Sequence, residues 1–312
     1  MPGKAPPLTY AKLVAAMAMW GGTWIAGRIV AQELRAPLAV AAIRFALAGL
    51  ALAAVALISE RRLSVPKGWA AWRVIGELGF FGILLYGLCF FYGLQYIPAG
   101  RGALVVALNP VAVVITAWLL GQESMSPRKA LGCAIALAGS LTVIGNGDPL
   151  ALLHGSVGLG ELLIVGCVIC WTAYTFIGRL ATRLLSPLST TLYASLAGAL
   201  LLGLAAAFEG DFQPHTWSWR VWASLLFLAF FGTAIAYTWY TEAVHRIGAG
   251  QAALFINLVP VFAVLQAAWL LDERLGLPVL FGGLLVIGGV WLATQSGKLA
   301  RIKNEPPTRR QA

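Results

Sequence analysis

Ala103–Pro110 reads ALVVALNP, and 150 residues further on Ala253–Pro260 reads ALFINLVP. The same offset aligns Phe81-Gly82 with Phe231-Gly232, Ile97 with Ile247, Ala99-Gly100 with Ala249-Gly250, and Pro110-Val111 with Pro260-Val261. It also aligns Glu123 with Glu273, Gly132 with Gly282 and Gly139 with Gly289. At an offset of 151, Trp20, Gly27 and Arg28 recur as Trp171, Gly178 and Arg179. An apolar composition matches Leu and Val by chance. It does not repeatedly align proline, glutamate, arginine and glycine at one spacing, so the chain is an internal repeat.

The solvent of that repeat follows from its composition. Of the 312 residues 60% are hydrophobic and 11% charged, against roughly 25% charged in a soluble domain. A helix crossing a bilayer needs about 20 apolar residues, and such stretches follow one another almost without interruption. Ten spans are expected, at residues 9–31, 37–58, 70–93, 98–120, 127–145, 157–179, 187–208, 219–241, 248–271 and 277–296. Breakers and charges part them: Glu60-Arg61-Arg62 with Pro66, Gln122-Glu123 with Pro127, Asn146-Gly147-Asp148-Pro149, Glu209-Gly210-Asp211 and Asp272-Glu273-Arg274. Lys4 and Lys12 precede the first apolar run as in a signal peptide, but the run continues to Val30 without a small-residue cleavage site. It reads as a retained first helix.

The fold class expected is therefore an all-α integral membrane protein. A first repeat over residues 1–146 supplies helices 1–5, a second over 147–297 supplies helices 6–10, and 298–312 forms a basic, disordered cytoplasmic tail. Five spans per repeat is an odd number, so the second half enters the membrane from the opposite side. The halves are inverted. Inverted repeats with a substrate site at their interface are an architecture of secondary transporters. With the N-terminus inside, 16 Lys and Arg fall on inner segments and five on outer ones, so both termini are expected in the cytoplasm of a cell whose inner membrane the chain spans. Basic residues then mark cytoplasmic loops, and the net charge of +10 gives no reason to expect a nucleic-acid partner.

Within the spans a few residue types stand out. Trp20, Thr23, Trp24 and Gly27 fall on one helical face, and Trp171, Tyr174, Thr175 and Gly178 on the matching face of the sixth span. Two readings fit: a pocket for an aromatic or amphipathic solute, or helix packing and an interfacial belt. Tyr86 and Phe90 in the third span and Tyr237, Trp239 and Tyr240 in the eighth extend the set, since a Tyr or Trp at membrane depth needs a hydrogen-bond partner. Asn109-Pro110 and Asn257 with Pro260 interrupt the fourth and ninth spans. Each proline is expected to free the carbonyl four residues back, Val106 and Ile256, and the pair suggests a hinge beside a binding site or two static kinks. Arg44 and Glu77 are costly charges that either meet substrate or a coupling proton or pair with each other. Arg28, Arg101, Glu123, Glu242, His245 and Glu273 sit at span ends, where a solvated role is the default.

WGGTWIAGR at Trp20–Arg28, Arg44-Phe45, ALVVALNP with Glu123, and the second copies ALFINLVP and LLDER at Leu270–Arg274 resemble the drug/metabolite transporter superfamily, in its ten-helix branch of two EamA domains. The likeness covers nearly the whole chain. It implies a ten-helix bundle around a central cavity lined by helices 1, 3, 4, 6, 8 and 9. Family members mostly export amino acids, metabolites or toxic compounds, and this chain is similar to YddG-like aromatic amino-acid exporters. Small-molecule substrate and membrane lipid are the partners implied.

Other classes find less support. No G-x-x-x-x-G-K-[ST] phosphate loop is present. Cys167 and Cys170 form a C-x-x-C with no second ligand pair, so neither metal nor other cofactor is expected. An integral-membrane enzyme needs facing His, Asp, Ser or metal ligands, whereas His154, His215 and His245 all lie near loops. A channel or scaffold remains compatible with an inverted repeat.

Overall fold

The computed structural model describes residues 7–59, 65–122, 124–148, 157–181, 184–210, 212–247, 252 and 255–303. Glu123, Ala249-Gly250, Ala253-Leu254, His154 and the tail beyond Lys303 lie outside them, as does the side chain of His245. Among the described residues eight helices are long and apolar enough to cross a membrane: Pro7–Glu33, Leu38–Ile58, Gly68–Tyr96, Ala99–Leu119, Pro127–Ile144, Leu159–Ala181, Leu188–Glu209 and Trp219–Tyr240. The shorter apolar helices Leu258–Leu270 and Leu277–Ala293 follow. These ten are numbered spans 1 to 10 below. The last helix continues to Lys303, into the segment expected to be a disordered tail.

The span ends follow from local chemistry. Ser126, Ser186 and Ser218 accept backbone N–H groups at the starts of spans 5, 7 and 8, and Pro127 and Pro187 take first-turn positions where no donor is needed. Gly210, at φ +70°, ends span 7 in the left-handed conformation. Exposed Trp69 and Trp72 open span 3, and Trp219 and Trp222 open span 8 at the same offset of 150. Indole rings at span ends are the usual mark of the membrane–water boundary.

The chain divides into two compact units, each drawing on both halves of the sequence. The larger takes Met1–Val106 and Gly158–Arg274. In it span 1 packs on spans 8 and 9, and span 6 packs on span 3 and the start of span 4. Spans 1 and 6 are equivalent in the repeat, so each half's first helix packs against the other half's third and fourth. Spans 2 and 7, the two second helices, run along each other. This exchange is what a two-fold relation between inverted halves produces. At the Lys12 end, Leu13, Ala16, Met17, Ala236 and Ala243 form one fully buried cluster.

The smaller unit takes Ala107–Val157 and Leu275–Ala312, and spans 5 and 10 form its spine. Here the repeated glycines touch. A Cβ on Gly132 would stand 2.7 Å from the Gly289 carbonyl, and one on Gly139 would stand 2.6 Å from the Gly282 carbonyl. Helices in lipid gain from such backbone approach because dispersion, and not water, drives them together. Val111, Cys133, Ala136, Val286, Val290 and Ala293 fill the rest of this core.

Three spans depart from α-helix at repeat-related places. Phe80–Leu85 in span 3 and Phe227–Ile235 in span 8 are π-helical. The Tyr86 N–H reaches five residues back to the Phe81 carbonyl, as the Ala236 N–H does to Phe231. Span 4 breaks at Ala107-Leu108, and the chain turns at Ile256-Asn257 before span 9. The paired prolines thus interrupt both helices as the sequence predicts. The Ile256 carbonyl is not left free, however, because the Val259 N–H donates to it at 2.9 Å, closing a tighter turn.

Candidate functional site

Of the nine aromatic residues singled out in the sequence, eight join one connected band inside the larger unit, while Trp239 packs against the Leu13, Ala16 and Met17 cluster. The Trp24 ring meets Phe90 edge-on with centroids 5.0 Å apart, and Phe90 stacks on Tyr86 at 6.1 Å. Tyr86 meets Trp171 at 6.1 Å, and Trp171 stacks on Tyr174 at 5.5 Å. The Tyr174 and Tyr237 hydroxyls are hydrogen bonded. Tyr237 lies edge-on to Trp20 at 6.3 Å, and Trp20 packs on Tyr240 at 5.2 Å. Spans 1, 3, 6 and 8 each contribute two rings.

The band obeys the repeat. Trp20 with Tyr237 and Trp171 with Tyr86 are the same pair at an offset of 151, and their ring planes cross at 63° and 60°. The π segments set this up. Gly82 receives Tyr174, whose Cδ2 would lie 2.1 Å from a Cβ there, and Gly232 receives the equivalent Thr23, with Cγ2 at 2.6 Å. The Trp20 indole donates to the Gly232 carbonyl at 3.0 Å, which supplies the polar partner that a Trp at this depth requires. π turns recur at functional sites because they re-aim side chains and carbonyls out of helical register. No sequence signal except the recurring Phe-Gly pair announces them.

Symmetry fails at the margins of the band. Trp24 is matched by Thr175, and Tyr240 by Cys89. The Cys89 thiol is hydrogen bonded to Cys170 beside Trp171. The remaining candidates sit elsewhere. Asn257 caps span 9 without a side-chain hydrogen bond, next to Leu258 and Val259, which pack on the cluster that includes Trp20 and Tyr240. Asn109 belongs to the smaller unit, at the start of the second part of span 4, and its Oδ1 is buried without a hydrogen-bond partner. Pro110 follows it there, while Pro260 is buried within the first turn of span 9 in the larger unit.

The charges at span ends are more engaged than the default solvated role allows. At the Arg28 end, Arg28 Nε lies 3.6 Å from Glu273, and both side chains are only 13% exposed. The Glu273 carboxylate also accepts the Ala99 and Gly100 N–H groups at the start of span 4, at 3.1 and 3.3 Å. Arg28 donates in addition to the Leu94 carbonyl. Arg101 pairs with Glu161 at 2.9 Å. Glu209 accepts from the Leu38 N–H at the start of span 2 and from the Tyr92 hydroxyl, and Ser218 donates to Glu33. Two of these carboxylates sit on helix N-termini, where the backbone dipoles favour negative charge. Beside them opens a polar cavity of about 560 Å³ lined by Ala31, Gln32, Glu33, Leu34, Arg35 and Gln95.

At the opposite end Glu242 holds Lys12 and Arg246, each at 2.9 Å. The hydrogen bond from Lys12 and the two positive charges keep its carboxyl below the ordinary range. Arg44 and Glu77 do not pair. Glu77 lies one helical turn from Arg73, 3.5 Å away, while Arg44 lies over the Phe45 ring at 4.7 Å.

Known proteins with related sequences are named as transporters. The chain is 32% identical over 267 residues to "Uncharacterized transporter YyaM" of Bacillus subtilis (strain 168), covering 83% of this chain and 84% of that one. It is 28% identical to an "Uncharacterized transporter" of Archaeoglobus fulgidus, covering 92% and 97%. A "Probable terminal-alkyne amino-acid exporter" of Streptantibioticus cattleyicolor is 26% identical, covering 76% of this chain and 78% of that one. One crystal structure shares the fold, with a TM-score of 0.63 and 23% identity over 94% of this chain and 99% of its own. The EamA-like transporter family model matches the chain twice, over residues 8–145 and 158–295, and this multi-pass membrane protein belongs to that family.

Proposed function

We propose that the chain is a secondary transporter that exports small amphipathic metabolites, amino acids including aromatic ones, by alternating access in the cell inner membrane. The observation that carries this reading is the symmetric pair of Trp–Tyr contacts, Trp20 with Tyr237 and Trp171 with Tyr86. Four helices from both halves present ring edges, hydroxyls and indole N–H groups to one connected band. Such a surface holds an apolar ring by stacking and a polar group by hydrogen bonds. On this reading Trp20, Trp24, Tyr86, Phe90, Trp171, Tyr174, Tyr237 and Tyr240 contact the solute, joined by Asn257. The amino-acid exporter among the relatives favours amino acids over other amphiphiles.

The same reading assigns the two repeats to 1–146 and 147–297 and the gating to Pro110 and Pro260. Pro110 follows the break in span 4 and Pro260 follows the turn that precedes span 9, and such interruptions absorb backbone rotation when a helix tilts. The distribution of Lys and Arg favours cytoplasmic termini, and on that reading the Arg28 end is the outer one. There the Arg28–Glu273, Arg101–Glu161 and Tyr92–Glu209 contacts act as the outer gate.

Counterflow in proteoliposomes tests this. Vesicles loaded with unlabelled L-phenylalanine are expected to accumulate labelled L-phenylalanine saturably, and Trp171→Ala is expected to reduce the rate at least about tenfold. Absence of saturable exchange for aromatic, aliphatic and other amphipathic solutes, with folded protein confirmed in the vesicles, overturns it.

A further inference from the structure

We propose that Arg44 binds the carboxylate of the transported solute, so that the substrate class is an amphipathic molecule with an apolar or aromatic body and a carboxylate. The inference rests on reading the aromatic band as the solute site and adds the charge that the band must meet.

Arg44 lies six residues into span 2, about 9 Å along the helix from Leu38. A guanidinium keeps its charge in any protein environment, and at membrane depth it requires a counter-charge or a full set of acceptors. Among the described residues neither is present. Its Nε is cut off from the surface and has no hydrogen-bond partner. Its recorded neighbours are the Phe45 ring, 4.7 Å from the guanidinium carbon, and Tyr86 within electrostatic reach. Both are uncharged. Glu77, the intramembrane acid nearest in kind, is engaged by Arg73.

Placement gives the cation a use. Tyr86 is the ring that links Phe90 to Trp171 in the band, so a solute ring against those residues has its carboxylate within reach of Arg44. Symmetry supports function over scaffolding. The Trp–Tyr pairs, the π turns, the glycines and the span breaks all recur in the second half. Arg44 does not: the related positions in span 7 are Ala194 and Ser195, both buried. Other one-sided cations have acidic partners, Arg101 with Glu161 and Lys12 with Glu242; Arg44 has none among the described residues, which leaves its charge for what the scaffold holds.

The test compares two probes that share a ring and an ammonium group. Tritiated L-phenylalanine and tritiated phenethylamine, which lacks the carboxylate, are bound to the purified full-length protein, to Arg44→Gln, to Arg44→Lys and to Trp171→Ala. The unmodified protein is expected to prefer L-phenylalanine by about tenfold or more, as a charge-assisted hydrogen bond requires. Arg44→Gln is expected to lose that preference by weakening L-phenylalanine alone, Arg44→Lys to regain part of it, and Trp171→Ala to weaken both probes. On the unmodified protein, 3-phenylpropionate is expected to displace L-phenylalanine where 3-phenylpropionamide does not, which needs no variant to fold. Equal affinity for both probes, or an Arg44→Gln protein that keeps the preference, overturns the role of Arg44 while the aromatic site stands. Binding of neither probe overturns the aromatic site as well.

Discussion

The Glu273 carboxylate stands 3.6 Å from Arg28 Nε and at the same time accepts the Ala99 and Gly100 N–H groups at 3.1 and 3.3 Å. One acid from the end of span 9 therefore neutralises a cation on span 1 and caps the start of span 4. With both side chains 13% exposed, the pair is nearer to a buried ion pair than to a surface one. Removing one partner of such a pair strands the other, at a cost of about 3 kcal/mol, the low end for a buried pair. Glu273→Gln is expected to lower the melting temperature in detergent and to raise maleimide labelling of a cysteine placed at Ala99, which is fully buried. A double-mutant cycle with Arg28→Gln is expected to return a coupling of about 1 kcal/mol or more. Additive effects and unchanged labelling would remove Glu273 from the gate.

The π segments make a second, local prediction. A Cβ on Gly82 meets the Tyr174 ring at 2.1 Å, whereas one on Gly178 meets nothing within 4 Å. Gly82→Ala is expected to push Tyr174 off Trp171 and away from the Tyr237 hydroxyl, at about 1–3 kcal/mol for overpacking. Tryptophan emission is expected to shift and solute affinity to fall. Gly178→Ala, matched in helix propensity, is expected to be neutral or stabilising by about 0.5–1 kcal/mol. Equal behaviour of the two variants would contradict the packing of Tyr174 into span 3.

These cases mark what could be read from sequence. The spans, the inversion and the interruptions near Pro110 and Pro260 were legible because apolar length, odd helix number and proline stereochemistry act locally. Eight of the nine aromatic residues read from the sequence were legible as a set because they share helical faces; Trp239 packs elsewhere. The π segments were not, since nothing in FFGILL or FLAFFGTAI distinguishes a π turn from an α turn until another helix is pressed against it. The ion pairs were hidden for a related reason. Arg28 and Glu273 look solvated when each is read within its own span, and only the packing of spans 1, 4 and 9 brings them together. Of the readings open for Arg44 and Glu77, pairing with each other gave way to a local rule, because Arg73 stands one turn from Glu77 on the same helix.

Spans 5 and 10 supply a third prediction, independent of the aromatic site. Gly139 faces backbone and a Cβ fixed to it: its own Cβ would lie 2.6 Å from the Gly282 carbonyl and 2.7 Å from both Leu285 Cβ and the Val286 nitrogen. Backbone cannot swing aside as a ring can. Gly139→Ala is expected to cost about 3 kcal/mol, at the upper end for overpacking, and Gly139→Leu to prevent the two helices from closing. Gly288→Ala, on span 10 with nothing within 4 Å, is expected to behave as the unmodified protein does. Folded yield and melting temperature in detergent check all three. A Gly139→Ala protein as stable as Gly288→Ala would refute the close approach of the two helices.

Glu242 provides a pH prediction whose sign is fixed by its partners. The hydrogen bond from Lys12 and the nearby Arg246 hold the carboxyl below its ordinary value. A depressed carboxyl stabilises the folded state above its unfolded pKa of about 4.3 and loses that contribution as the pH falls through the folded value. The melting-temperature difference between the unmodified protein and Glu242→Gln is therefore expected to stay constant from about pH 8 to 5 and to vanish below about pH 4. Its size is small, about 1 kcal/mol at most, because both partners are 29% exposed. A proton-carrying carboxyl behaves in the opposite way: its pKa is raised toward neutrality, and its contribution is present below about pH 4 and lost as the pH rises through the folded value. Observing that loss near neutrality would move Glu242 from a structural tie between spans 1 and 8 to a site of proton coupling.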